Sequence, residues 1–407
     1  MLSEQNNILD LSRKGGLLPE EEVMEVFRKK SKLIIGIPKE TSSLERRVPL
    51  VPQAVGLLVA NGHEVLVQSE AGNLARFPDN RYSEAGAKII YNAKEVFKAD
   101  IVIKVAPPAV EELDYMDSRK TLISALQFTS QSGDFFKRLI HKKMTAIAYE
   151  QIKDKTDTFP VRRSVSEIVG NTVILIASEY LSNISYSKGC MLGGFAGITP
   201  TQVLIIGAGT VGASAARAAM GLGAEVKVFD NSIYKLRRLQ NEINQRIFSS
   251  IIQPQVLLNA LKTADVVIGA IHAIEGRAPC VVTEEMVQQM QEGAVIVDVS
   301  IDQGGCIETS RPTTHDQPVF KKYDVTHYCV PNIASRVPHT ASYALSNIIA
   351  PVLLRIGEEG GVENLLKADK WLRNGVYLYN GIVTMKFISD NFHLPFQDVD
   401  LLMASWH

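Results

Sequence analysis

The stretch TQVLIIGAGTVGASAARAAMGLGAEVKVFD, residues 201–230, constrains the fold of this 407-residue chain more than any other. Gln202 to Ile206 is a short continuous apolar run, the pattern of a parallel strand buried on both faces, and it empties directly into Gly207-x-Gly209-x-x-Gly212. A helix with small residues at Ala215, Ala216, Ala218 and Ala219 follows and is ended by Gly221 and Gly223. Glu225 to Phe229 then reads as a second strand closed by Asp230. This is a nucleotide-binding βαβ unit. Gly207 permits the tight turn, Gly209 lets backbone amides approach a pyrophosphate, and Gly212 allows close helix–strand contact, while the helix N-terminus supplies partial positive charge. Three glycines alone are a flexible turn; the flanking strand, the helix and an acid roughly 20 residues on turn them into a dinucleotide site. Asp230 can accept hydrogen bonds from both ribose hydroxyls and repels a 2′-phosphate, which favours NAD over NADP. The alternative for Asp230 is an ordinary strand-end acid.

At this length the chain exceeds one ordinary core and predicts two or three domains. With 46% hydrophobic residues it is globular. A formal charge of −1, without a basic stretch interleaved with aromatics, argues against nucleic acid and anionic membranes as partners. Cys190, Cys280, Cys306 and Cys329 are far apart and form no CxxC, which predicts reduced thiols in a cytoplasmic protein. No secretory signal is expected, and the longest apolar runs, near 172–177 and 347–354, are shorter than the roughly 20 residues that span a bilayer. Spacing nominates no histidine as a metal ligand.

The expected fold class is α/β, with two Rossmann-like domains of parallel strands and a cleft between them. Residues 1–30 read as an N-terminal helical extension, with Pro19 at its start, acids at 20–22 and basic residues at 28–30. Residues 31–160 and 339–407 form the expected substrate domain. It is built from strands at LIIGIP, EVLVQS, AKIIY, DIVIKVAP, TLISALQ and MTAIAYE, with a long helix at 340–356 returning to it. Residues 161–338 form the dinucleotide domain, opened by a helix from about Ser164 and continued by strands at ADVVIGAI, AVIVDVS and THYCV. Ligands in such sheets bind beyond the carboxyl ends of the strands.

Several residues are placed for chemistry there. Arg46 and Arg47 follow the first strand, where a guanidinium could clamp a carboxylate; a solvated basic pair is the equal alternative. Lys104 ends a buried strand, a costly position unless the ammonium is paired or used. Asp302 lies just past another buried strand, at the edge expected for a nicotinamide.

These residues resemble those of the alanine dehydrogenases and the NAD-binding component of the nicotinamide nucleotide transhydrogenases. The most specific stretches are GIPKETSSLERRVPLVP, IGAGTVGASAARAAMGLGAEVKVFD and VDVSIDQGGCIETSRPTTHDQPVF, the last being closer to an alanine dehydrogenase. The resemblance implies that Arg47 and Lys104 hold the carboxylate of pyruvate or alanine, with Asp302 beside the nicotinamide and the amine. It implies that Ser166, Asp230 and Asn332 contact NAD, and that the protein is a homo-oligomer, typically a hexamer. The implied reaction is the reversible conversion of L-alanine, NAD and water to pyruvate, ammonia and NADH. Where the family carries a histidine that bonds the substrate carbonyl and shuttles its proton, this chain has Gln127, which can donate a hydrogen bond but cannot act as a general base. Asp302 with water and Lys104, or a remote histidine such as His272, is then expected to move the proton, the remaining outcome being a poor catalyst. The ERRxPLxP pattern at 45–52 also resembles the saccharopine dehydrogenases. A transhydrogenase-like component and an NAD-binding protein with weak or no dehydrogenase activity are the rival readings.

Overall fold

Uniformly apolar runs make strands that must be covered on both faces, and the structure, a computed structural model describing residues 31–273 and 276–404, meets that demand twice. In chain order the first set of strands is β1 (Ile34–Ile37), β2 (Glu64–Gln68), β3 (Lys88–Ile90), β4 (Ile101–Ile103), β5 (Thr121–Ser124) and β6 (Thr145–Ala148). The second is β7 (Gln202–Ile206), β8 (Glu225–Phe229), β9 (Phe248–Ser250), β10 (Val266–Gly269), β11 (Val295–Asp298), β12 (Val319–Lys322) and β13 (Val325–Tyr328). The tail adds β14 (Val376–Tyr379) and β15 (Ile382–Val383). One sheet has the order β15-β14-β6-β5-β4-β1-β2-β3 and the other β12-β13-β11-β10-β7-β8-β9. The extension expected at residues 1–30 lies outside the described residues.

Alternation along each strand separates two cores per sheet. Ile101 and Ile103 join Ile35, Ile37, Ile123 and Ile147 on one face of the first sheet, while Val102 joins Leu122, Ala146 and Leu378 on the other. In the second sheet Val203, Ile205, Val266 and Ile268 share one core, and Leu204, Ile206, Val267 and Ile296 the opposite one. Every one of these side chains is essentially inaccessible to water. Burial of that kind is worth roughly 1.5–3 kcal/mol for each large aliphatic side chain.

Neither sheet is wholly parallel, a correction to the expectation. β14 runs antiparallel to β6, and β15 to β14. β12 pairs antiparallel with β13 through a two-residue hairpin whose central residues, Tyr323 and Asp324, both have positive φ, 55° and 57°. Such a turn matches the strand twist.

Two long helices tie the sheets together. The helix Pro160–Ser182 starts four residues earlier than expected, with Pro160 in the first turn. Gly170 lets it lie against the helix Thr210–Gly221, since a Cβ there would sit 2.4 Å from the carbonyl oxygen of Val211. The helix Pro338–Glu358 contributes Ala341 to one core of the second sheet, and Leu345, Ile349, Leu353 and Ile356 to a core of the first. Among the described residues no helix is long and apolar enough to cross a membrane.

Candidate active site

The loop after β1 in the first sheet is hydrogen-bonded to the segment after β13 in the second, and through it to the turn after β11, so the carboxyl ends of the two sheets meet along a cleft with joined walls. Three serine hydroxyls hold the loop after β1. Ser335, in the 3-10 turn Ile333–Arg336, accepts from the backbone N–H of Arg46 at 2.9 Å. Ser342 accepts from Val48 at 2.9 Å and Ser346 from Val51 at 3.1 Å. The loop that carries Glu40, Glu45, Arg46 and Arg47 is thereby fixed to the segment leaving β13.

Arg47 is largely covered, its side chain 11% accessible, and its guanidinium is gripped along one edge by Glu45, with Nε–Oε1 2.8 Å and Nη2–Oε2 2.6 Å. Burial pushes the Glu45 carboxyl up, but the adjacent Arg47 pulls it further down, below the usual carboxylate range. Two of the five guanidinium N–H groups are taken by that grip, so the end-on edge at Nη1 and Nη2 is left to bind a carboxylate. Glu45 also accepts from Ser335 Oγ at 2.9 Å and from Asn332 Nδ2 at 3.0 Å. Asn332, with φ 57°, in turn donates its backbone N–H to Asp302 at 2.9 Å and its amide to the carbonyl of Leu44. Arg47, Glu45, Asn332 and Asp302 are therefore one chain of contacts across the cleft. Asp302, in the 3-10 turn Val299–Gln303, opens onto the cleft, yet the protein enclosing it raises its carboxyl above the ordinary range.

Lys104 has no accessible surface. Its ammonium lies 3.2 Å from Glu112 Oε2 and 3.6 Å from Glu40 Oε2, which answers the cost of burying it at a strand end. Glu40 is itself buried and accepts from the N–H of Val105 at 2.7 Å; desolvation pushes its carboxyl up to about 7, against the pull of Lys104. Tyr149, past the end of β6, donates to the carbonyl of Val105 at 2.6 Å.

Gln127 is exposed beyond β5 with φ 43°, and its backbone N–H donates to Glu150 Oε1 at 3.2 Å. The second Glu150 oxygen is buried with no hydrogen-bond partner, and burial pushes this carboxyl up to about 7. His272 is exposed on the loop after β10, where its partner is Gln303 rather than Gln127 or Lys104.

The second wall is shaped for a dinucleotide. Gly207 has φ 114°, and a Cβ there would lie 2.4 Å from the carbonyl of Ala270. A Cβ at Gly212 would lie 1.9 Å from the carbonyl of Gly207, whereas one at Gly209 would meet nothing within 4 Å. Two glycines are demanded by the protein's own packing and the third keeps clear the space where a pyrophosphate meets the helix N-terminus. Asp230 pins the loop, accepting from Ala208 and Ser232 N–H, each at 2.7 Å, and Lys235 stands 3.9 Å away. A cavity of about 360 Å³ opens beside the glycine turn, lined by Arg162, Ser166, Thr210, Arg217 and Arg238 among others.

The expected residues thus sort into two walls, with Gln127 at the rim of the first and Ser166 on the cavity of the second. Sequence reading missed the carboxylates Glu40, Glu45, Glu112 and Glu150. The signal for three of them was present, because buried Lys104 and largely covered Arg47 each require a counter-charge from a neighbouring strand-end loop.

Residues 36–169 match the family description "Alanine dehydrogenase/PNT, N-terminal domain" and residues 173–386 match "Alanine dehydrogenase/PNT, C-terminal domain". An alanine dehydrogenase of Bacillus subtilis is 40% identical over 359 residues, 88% of this chain and 94% of that one. The alanine dehydrogenase of Mycolicibacterium smegmatis is 36% identical over 91% of this chain and its whole own length. A solved L-alanine dehydrogenase superposes with a TM-score of 0.82 at 34% identity, covering 89% of this chain and 99% of that one. A transhydrogenase from Sinorhizobium meliloti shares the fold, with a TM-score of 0.72 at 23% identity over 86% of this chain and 98% of that one. The family expected from the glycine turn and the two strand-end loops is the one found: the chain belongs to the alanine dehydrogenase/PNT family.

Proposed function

We propose that this protein is an NAD-dependent alanine dehydrogenase, interconverting L-alanine and pyruvate with uptake or release of ammonia. The observation that supports the reading is the chain of contacts from Arg47 through Glu45 and Asn332 to Asp302, which joins an arginine with a free guanidinium edge to a carboxyl raised above the ordinary range. The relatives matched over nine-tenths of the chain bear the same name.

In this reading residues 31–160 and 339–407 bind the substrate, and residues 161–338 bind NAD. Gly207, Gly209 and Gly212 receive the pyrophosphate, Asp230 the adenosine ribose, and Ser166 and Asn332 further parts of the cofactor. NAD supplies the hydride acceptor. Arg47 offers its end-on edge to the substrate carboxylate, and Lys104 adds positive charge beneath it. Gln127 can donate to the carbonyl oxygen but can neither take nor give a proton at neutral pH. Asp302, its carboxyl raised above the ordinary range and open to the cleft, is suited to exchange protons with water and the leaving amine. A second reading, an NAD-binding protein of weak activity, draws its support from Gln127 alone.

We further propose a cytoplasmic homo-oligomer, a hexamer by family resemblance, which light scattering of the purified chain would test. The function is tested by NADH oxidation with a panel of 2-oxo acids plus ammonia. Pyruvate is expected to be the best substrate and NADH the preferred cofactor. NADH binding without turnover of any 2-oxo acid would favour the second reading.

A further inference from the structure

The substrate-binding wall holds more negative than positive charge. Lys104 and Arg47 are its two cations. Around them stand Glu40 and Glu112 on Lys104, Glu45 on Arg47, and, from the facing wall, Asp302 opposite Arg47. A 2-oxo acid or amino acid arriving there brings one more carboxylate to cations that already have four. In a site of low dielectric such crowding is unfavourable, so one carboxyl must leave or lose its charge.

The surroundings decide which one. Glu45 is bidentate to Arg47 and bonded to Ser335 and Asn332, so it is held charged in place. Glu112 belongs to the short 3-10 helix Glu112–Tyr115 at the rim, where its side chain keeps 12% of its surface accessible and its Oε2 accepts from the N–H of Ala109 at 2.8 Å, so water and that amide keep it charged. Glu40 cannot withdraw: its side chain is 5% accessible, and one oxygen is tied to the N–H of Val105. Its other oxygen makes the 3.6 Å ion pair with Lys104, and the backbone N–H of Ala106 also stands close to the carboxylate. The groups facing it are Lys104 from β4, Glu45 and Arg47 from its own loop, and Tyr149 from the end of β6, a phenol that burial keeps protonated.

Resting on the dehydrogenase reading above, we propose that Glu40 takes up a proton when a substrate carboxylate docks beside Lys104 and Arg47, and releases it when the substrate leaves. Docking transfers Lys104 from Glu40 to the substrate, and the proton comes from bulk water, so the charge of the wall is unchanged. Glu40 is then a positioning residue that sets the pH range of substrate binding. Its carboxyl already sits at about 7 in the free site, and losing the ion pair raises it further.

The test is calorimetric titration of pyruvate into the NAD-loaded full chain, without ammonia, in buffers of different ionisation heat near pH 8. Uptake close to one proton per site is expected, and the pyruvate Kd should weaken about tenfold per pH unit above 7. In Glu40→Gln the uptake should vanish and the Kd should become independent of pH. Pyruvate binding without proton uptake, or full uptake retained in Glu40→Gln, overturns the proposal and leaves the dehydrogenase reading standing. Failure of the wild-type protein to bind pyruvate while it binds NADH overturns both. If Glu40→Gln does not fold, Glu40→Asp, which draws the carboxyl back from Lys104, should move the midpoint of the pH profile; an unmoved midpoint overturns the proposal.

Discussion

Glu45 grips Arg47 along one edge of its guanidinium, Nε–Oε1 at 2.8 Å and Nη2–Oε2 at 2.6 Å, while the same carboxylate reaches across the cleft to Asn332 and Ser335. The arginine expected only to bind substrate is therefore also part of the fold. Arg47→Ala should leave a buried carboxylate unpaired and destabilise the protein by about 3–5 kcal/mol, besides weakening 2-oxo acid binding. Adding Glu45→Gln to Arg47→Ala should recover part of that stability and none of the binding. Urea denaturation and substrate titration of the two variants separate the effects; equal stability of Arg47→Ala and wild type would show that the ion pair has no structural weight.

Gly209 and Gly212 should respond differently to alanine. Gly212→Ala drives a Cβ into the carbonyl of Gly207, so both folding and NADH binding should suffer. Gly209→Ala meets no protein atom and should keep the wild-type Tm while NADH binding is lost. Fluorescence titration of NADH beside thermal melts reads both. A Gly209→Ala protein that binds NADH normally would move the pyrophosphate elsewhere.

Stability should fall as pH rises from about 4.5 to 7. Burial raises the carboxyls of Glu40 and Glu150 to about 7, so over that range the unfolded chain gives up protons that the folded protein keeps. The stabilising difference is full below the unfolded value and is lost on passing through the folded one, amounting to roughly 3 kcal/mol per group at most. Denaturation midpoints across this range should show the slope. Glu150→Gln should flatten its share, and an identical slope in that variant would refute the assignment.

Gln127→His should raise pyruvate amination by an order of magnitude or more, since a positioned acid–base group contributes about 10²–10⁴ in rate. The backbone allows it: φ at Gln127 is 43°, a left-handed conformation in which histidine is enriched. If the wild type turns over at an ordinary enzyme rate and the histidine slows it, Asp302 carries the proton, and Asp302→Asn should abolish turnover.

Asp230→Ala should narrow the preference for NADH over NADPH. Because Asp230 also anchors the N–H groups of Ala208 and Ser232, the change should weaken both cofactors, NADH more. Parallel titrations decide it, and an unchanged ratio would remove Asp230 from cofactor choice.

Sequence alone determined whatever is local or periodic. The glycine turn at 207–212 was legible because its glycines stand at fixed spacing between a buried strand and a helix, and Gly212 is required by a contact five residues back, at the carbonyl of Gly207. The buried strands were legible because a run such as Ile101-Val102-Ile103 has no polar face to expose. The cost of burying Lys104 was legible too, though not who would answer it. Only the tertiary structure decided that Glu40 and Glu112 do so, 64 residues before it and eight after, and that Glu45 joins Arg47 to Asn332, 287 residues further on. Residues so far apart in the chain carry no periodicity that links them; their charges meet because eight strands stack in an order unlike the sequence order and bring their ends to one edge. The antiparallel strands β14 and β15 were illegible for the same reason, since the partner of β14 is β6, more than 200 residues earlier, and nothing in VYLY states which sheet edge is free.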